Sequence, residues 1–313
     1  MTTLAIVSPC YNEELLIKES VTRLVGVLNE LISARKISSM SYILLVDDGS
    51  SDSTWNIIEE LHQEFSCVQA LGLANNVGHQ YAILAGMMQS YKSADAVITI
   101  DIDLQDDINA IEKMVDEFVA GSEIVYSIKR NRDADPITKR TIAKLFYRTQ
   151  KILGINVLYN HADFRLLSAK VITRLADYQE RNLYLRGIVT LLSNKTSIVD
   201  DVITKRKAGT SKYTIGKMIN LASNGILSFT TKPIDFIIYL GLAMMLFSLG
   251  MLVYVIVSLI TRHYVNGWAS ILLSIWLVGS VITTSIGILG TYIGKIFIEV
   301  KRRPLYNIDK KLN

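Results

Sequence analysis

The alternation of apolar and polar positions divides this chain of 313 residues into two regimes. In the first, short β-branched runs alternate with segments whose apolar residues recur every three to four positions. That rhythm predicts strands buried on both faces, each followed by an amphipathic helix. The strand candidates are residues 4–7, 42–46, 68–73, 96–100 and 124–128. Between them, Ile17, Val21, Leu24, Leu28 and Leu31 mark a helix that Asn12 is expected to cap. Ile57, Ile58, Leu61 and Phe65 mark a second, Ile83, Leu84, Met87 and Tyr91 a third, and Ile111, Met114, Val115 and Phe118 a fourth. Strict β-α alternation of this kind predicts an α/β fold with a mostly parallel sheet and right-handed crossovers. Further on, Asp163-Phe164-Arg165 is expected in a turn before a helix over 169–176, and residues 197–205 read as an edge strand.

Past residue 213 the charged positions thin out. Residues 214–231 read as a weakly amphipathic helix lying along a membrane up to Pro233. Residues 236–260 and 268–294 hold no charged side chain, and each run is long enough to cross a bilayer. The short connection between them makes the pair a hairpin, so both ends return to one side. Lys232 precedes it, and Lys295, Lys301, Arg302, Arg303, Lys310 and Lys311 follow it. By the positive-inside rule that side is cytoplasmic. The expected organisation is therefore a cytosolic domain over 1–213, an interfacial helix over 214–233, two transmembrane helices within 234–298, and a basic cytosolic tail over 299–313. Met1 leads almost directly into a strand, so no signal peptide is expected.

Composition changes this picture little. The formal charge is +4, and its basic residues gather near the hydrophobic end, which suits an anionic membrane surface better than a nucleic acid. A basic helix around Lys139, Arg140, Lys144 and Arg148 fits either that surface or plain solvation. Cys10 and Cys67 lack metal-ligand spacing and read as small buried hydrophobes in a reducing compartment.

Chemistry gathers where strands end. The run from Ala96 to Ile100 stops in Asp101-Ile102-Asp103-Leu104-Gln105-Asp106-Asp107, and the run ending at Val46 stops in Asp47-Asp48-Gly49-Ser50-Ser51-Asp52. Carboxyl ends of strands in an open α/β sheet open into the ligand crevice. Asp101 and Asp103, two apart on extended backbone, can converge there on one hard cation such as Mg²⁺ or Mn²⁺. Asp106 and Asp107 serve a helix N-terminus more simply. Asp47 would accept hydrogen bonds from a base or ribose. Arg206-Lys207-Ala208-Gly209-Thr210-Ser211-Lys212-Tyr213 is a candidate anion clamp, with charge from Arg206 and Lys212 and a hydroxyl from Ser211. A metal-bound nucleotide diphosphate fits the acids, the metal acting as a Lewis acid on the leaving group. A lipid phosphate fits the membrane helices. Its second pKa of about 6 leaves it ionised and nucleophilic, so a strong general base becomes optional.

Taken together, Pro9-Cys10-Tyr11-Asn12-Glu13, Asp47 to Asp52, Asn76-Val77-Gly78-His79, Asp101 to Gln105 and Arg206 to Tyr213 resemble, in order and spacing, the inverting family-two glycosyltransferases. More narrowly the chain resembles the polyprenyl-phosphate glycosyltransferases of the GtrB and dolichol-phosphate mannose synthase type. The resemblance implies a GT-A (Rossmann-like) domain and two carboxy-terminal helices in a bacterial inner membrane, with the catalytic domain cytosolic. It implies transfer of one sugar, with UDP-glucose the preferred donor, onto undecaprenyl phosphate; N-acetylglucosamine, galactose, mannose and aminoarabinose stay open. By the same resemblance Pro9, Tyr11, Glu13 and Asp47 hold the nucleoside, and Asp101, Asp103 and Gln105 hold the metal and the donor diphosphate. Lys129, Arg132, Arg206, Ser211 and Lys212 take phosphate groups. Asp103 and Asp163 carry the catalytic roles, Asp163 as base or, preferably, as a sugar-orienting carboxylate. A homo-oligomer, up to a tetramer, built partly through residues 301–313 is also implied. Lys129 stands where relatives often carry Arg, and Asp107 where they carry Pro. A polysaccharide synthase would show Gln-x-x-Arg-Trp and more membrane helices; a non-catalytic nucleotide-binding subunit would have lost a metal carboxylate.

Overall fold

The computed structural model describes residues 1–129, 161–178, 180–181, 184–201 and 267–313, with isolated helical positions between 234 and 260. The strands are β1 (Leu4–Cys10), β2 (Tyr42–Asp47), β3 (Val68–Leu73), β4 (Ala96–Thr99), β5 (Ile124–Lys129), β6 (His161–Ser168), β7 (Thr196–Asp201) and β8 (Ile308–Leu312). The helices are α1 (Ile17–Ser33), α2 (Thr54–Glu64), α3 (His79–Ser90), α4 (Ala110–Val119), α5 (Ala169–Ala176), α6 (Leu185–Leu192) and α7 (Trp268–Lys301). One sheet of order β7-β5-β6-β4-β1-β2-β3-β8 joins all the strands. β1 to β4 run parallel, β5 and β7 share their direction, and β6 and β8 pair antiparallel with their neighbours. This is the expected GT-A, Rossmann-like α/β domain.

Period-two alternation splits each central strand between two cores. Leu4 and Ile6 of β1 pack with α1, α2 and α4 on one face, through Leu24, Ile58 and Met114. Ala5 and Val7 face the other side, where α3, α5 and α6 contribute Ile83, Ile172 and Ile188. Every position of β1 is therefore buried, which explains why its first four residues, Leu4 to Val7, read as an uninterrupted apolar run. α3 lies so close to the sheet that a Cβ on Gly86 would overlap Val7 Cγ1 and stand 2.9 Å from Val46 Cγ2.

Two local expectations are corrected. Asp163-Phe164-Arg165 is not a turn but the middle of β6, inserted antiparallel between β4 and β5. Phe164 and Leu166 fill one core and Leu167 the other, while Asp163 and Arg165 put charge where period two calls for apolar residues, which hides the strand. Asn12 does not cap α1. Helix α1 starts at Ile17, and Asn12, at φ 53°, accepts the Ser51 N–H on Oδ1 at 2.8 Å. Asp106 and Asp107 do precede the start of α4 as expected: Asn109 is its N-cap, the Asp107 side chain accepts the Asn109 N–H at 3.0 Å, and the Asp107 N–H donates to Asp201 at 2.8 Å. Finally, the basic tail closes on the sheet as β8 against β3, with Lys311 opposite Leu71.

α7 has 34 residues, about 51 Å at ~1.5 Å per residue, and contains the one helix among the described residues apolar and long enough to cross a membrane. The expected span over 268–294 lies inside it. The expected span over 236–260 is described only at scattered helical positions, and the interfacial helix over 214–233 and the basic helix near 139–148 lie outside the described residues.

Candidate active site

The site forms at the carboxyl ends of β1, β2 and β4, where backbone leaves the sheet and side chains meet across a cavity of about 520 Å³. Pro9 near the end of β1, and Tyr11 and Glu13 just after it, line one wall. Asp101 and Asp103, following β4, line another, and Asp163 and Arg186 close the side toward β6. The turn after β4 carries Leu104 at φ 45°, and Asp103 Oδ1 accepts the Gln105 N–H at 3.3 Å. Gln105 itself does not line the cavity. Asp47 is buried, does not line the cavity and accepts both the Ser50 N–H and hydroxyl, whereas its neighbour Asp48 reaches the wall. Burial raises the pKa of both Asp47 and Asp48 against these hydrogen bonds.

Asp48 explains the Asn76-Val77-Gly78-His79 motif. Its two oxygens accept the Val77 and Gly78 N–H groups at 2.8 and 2.9 Å, clamping the turn that starts α3. Gly78 turns there at φ 95°, a region that L side chains avoid. The turn leaves Asn76 on the cavity wall and aims His79, the first residue of α3, inward. His79 Nε2 lies 3.3 Å from Asp101 and 3.6 Å from Asp163. Burial opposes its charge, but Asp101 and Asp163 together raise its pKa to about 9.

Asp163 is the electrostatic centre of the site. Arg186 grips both of its oxygens, Nε to Oδ1 at 3.0 Å and the second nitrogen to Oδ2 at 2.8 Å. Arg165, wholly buried two residues along β6, stands 3.9 Å away, and no other partner meets its guanidinium nitrogens among the described residues. Burial pushes the Asp163 carboxyl up, yet Arg186, His79 and Arg165 overcome it and hold it well below the usual carboxylate range. Thr99 at the end of β4 donates its hydroxyl to the Asp163 carbonyl, which fixes β6 beside Asp101.

Asp101 and Asp103 present hard oxygens on one wall, and no group of three or more metal-ligating His, Cys, Asp or Glu side chains occurs among the described residues. That donor set suits a divalent cation that completes its shell with substrate phosphate and water rather than an all-protein cage. Of the expected phosphate ligands, Lys129 is described as the last residue of β5 by its backbone alone, and Arg132, Arg206, Ser211 and Lys212 lie outside the described residues.

Sequence reasoning left His79, Asp48 and Arg186 without roles. Arg186 carried a usable signal: an arginine in the first turn of an otherwise apolar helix, LRGIVTLL, opposes the helix dipole and needs an anionic partner. His79 offered only its place after a glycine turn.

Comparison with known proteins finds relatives over nearly the whole chain. The chain is 44% identical over 306 residues to an uncharacterized glycosyltransferase, YkoT, of Bacillus subtilis, covering 98% of this chain and 91% of that one. It is 36% identical over 309 residues to the SfII prophage-derived bactoprenol glucosyl transferase of Shigella flexneri, covering 98% and 97%. A prophage bactoprenol glucosyl transferase homolog of Escherichia coli is 34% identical over 310 residues, covering 98% of each. The sequence profile for glycosyl transferase family 2 matches residues 5–175, which span β1 to α5 and hence most of the cavity wall. The chain belongs to glycosyl transferase family 2.

Proposed function

We propose that this enzyme transfers one sugar, glucose from UDP-glucose, to the phosphate of undecaprenyl phosphate at the cytoplasmic face of a bacterial inner membrane, with inversion at the anomeric carbon. The observation that carries the reading is the convergence of Asp101, Asp103 and the Arg186-clamped Asp163 on one cavity, in a chain that also holds a membrane-length helix. Relatives named bactoprenol glucosyl transferase, aligned over nearly the whole chain, support the lipid acceptor. Residues 236–260 and 268–294 would form the membrane hairpin, joined to the domain through 214–233.

Pro9, Tyr11, Glu13 and Asp47 would hold the nucleoside. Asp101 and Asp103, with Gln105 behind them, would hold Mg²⁺ or Mn²⁺ against the donor diphosphate, and the ion when bound stabilises charge developing on the leaving group. In the transfer, an acceptor phosphate oxygen forms the bond to the anomeric carbon, the bond from that carbon to the diphosphate breaks, and nucleoside diphosphate departs with the electron pair. Lys129, Arg132, Arg206, Ser211 and Lys212 would hold the acceptor phosphate. Asp163 is assigned to orienting the sugar. A carboxylate held so far below its usual range is a poor proton acceptor, and an ionised phosphate needs no base.

The test is a transfer assay with purified protein, undecaprenyl phosphate, Mg²⁺ or Mn²⁺, and a panel of radiolabelled nucleotide sugars. Label in the lipid phase from UDP-glucose alone is the expected result. Label from another donor corrects the sugar, and no lipid label with nucleotide still bound supports the non-catalytic alternative.

A further inference from the structure

The carboxyl end of α7 is tied to the active site by a chain of hydrogen bonds. Glu299 in its last turn accepts the backbone N–H of Arg181 on both carboxylate oxygens, at 3.0 and 2.8 Å. The helix then ends at Arg302, a non-glycine residue at φ 48°, whose carbonyl accepts from the Arg181 guanidinium at 3.2 Å. A left-handed conformation without glycine persists only where its surroundings hold it. On its other side Arg181 is held by α3: its carbonyl accepts the Tyr81 hydroxyl at 2.6 Å. Four residues later the Leu185 N–H donates to Gln80 Oε1 at 3.1 Å, and the next residue is Arg186, the clamp on Asp163. Arg181 is thus held between α3 and the end of the membrane-length helix, and Leu185, next to the clamp, by the first turn of α3, which bears His79.

We propose that Glu299 is a positioning residue for sugar transfer: by holding the Arg181 backbone it sets Arg186 on Asp163, so that the seating of α7 governs the geometry of the catalytic cavity. The inference rests on the transfer activity proposed above, and its consequence is that a membrane-anchored helix and the sugar-orienting carboxylate move as one unit. A carboxylate accepting a backbone N–H at both oxygens has no need of its charge for that role; a carboxamide oxygen accepts the same N–H.

The experiment compares Glu299→Ala and Glu299→Gln with the unaltered enzyme in transfer kinetics, donor binding and hydrogen-deuterium exchange. Glu299→Ala should lower kcat about tenfold while donor Kd changes less than twofold, and Glu299→Gln should recover most of kcat. Exchange over residues 184–192 should rise in Glu299→Ala. In a double-mutant cycle with Arg186→Lys, the alanine change should cost little more, because both act through one clamp. Unaltered exchange at 184–192 in Glu299→Ala, or full additivity with Arg186→Lys, overturns the proposal. If the unaltered enzyme transfers no sugar, the functional reading fails, and the exchange measurement alone still judges the tie between Glu299 and Arg186.

Discussion

Removing the Arg186 guanidinium is the most informative perturbation of the site. The Asp163 side chain is 12% exposed, and Arg186→Ala deletes two charge-assisted hydrogen bonds of 3.0 and 2.8 Å from it. Stripping one partner from a buried ion pair costs roughly 3–5 kcal/mol when the survivor is left alone. Here Arg165 at 3.9 Å and His79 at 3.6 Å remain beside the carboxylate, so a smaller loss of about 2–3 kcal/mol is expected, in the upper part of the roughly 1.5–3 kcal/mol range of a hydrogen bond to a charged group. At ~1.4 kcal/mol per decade, a loss carried fully into the transition state lowers kcat/KM about 30- to 150-fold. In a chain of this size the same loss lowers Tm by about 4–10 °C. The depressed Asp163 pKa adds a sign. Its stabilisation is fully present above the unfolded carboxylate pKa of about 4 and is lost only as pH falls through the lower folded value. The Tm gap between wild type and variant should therefore hold from pH 7 to about 5 and close at lower pH. A variant with kcat/KM within twofold of wild type and Tm within 1 °C would falsify the view that Arg186 organises Asp163.

Three further outcomes are expected. Asp103→Ala should lower the transfer rate about 10² to 10⁴-fold, the ~3–5 kcal/mol of charge stabilisation at stake, and chelator should do the same to wild type; near-normal turnover in either case removes the metal assignment. Glu123 accepts the Ser193 hydroxyl at 2.7 Å and pairs with Lys170, which lower its pKa from 4.5 to about 2. The folded value being depressed, its contribution is present above about pH 4.5 and lost toward pH 2, so the Tm gap between wild type and Ser193→Ala should shrink across that window. A gap constant from pH 6 to pH 3 contradicts it. Gly86→Ala should destabilise by about 1–3 kcal/mol, read as a lower denaturation midpoint at unchanged slope, because the new methyl meets the β-branched Val7 and Val46 on a packed sheet; a neutral result would mean α3 moves off the sheet at no cost.

Much of the architecture is legible without coordinates because its signals are local. Strands such as β1, buried on both faces, are mainly apolar, and helices such as α1 repeat every three to four residues, so each element announces itself in a window of a few residues. The acids of the cavity are legible for a related reason. Asp101 and Asp103 follow an apolar strand directly, and the carboxyl end of such a strand is where ligands meet an open sheet. The length and lack of charge of 268–294 likewise required no packing argument, and α7 contains that run.

The elements that only tertiary structure could assign are those whose partners lie far away in the chain. β6 breaks the apolar alternation because Asp163 is compensated by Arg165, Arg186 and His79, residues separated by up to about a hundred positions. β8 is a lysine-bearing edge strand, and its hydrogen bonds are supplied by β3, more than two hundred residues earlier. Asn12 looked like a local cap, yet a long-range partner, the Ser51 N–H, takes its side-chain oxygen. A sequence window reports what a residue does to its own backbone. Charge compensation and strand pairing are free energies between distant segments, and they exist only once the sheet has brought those segments together.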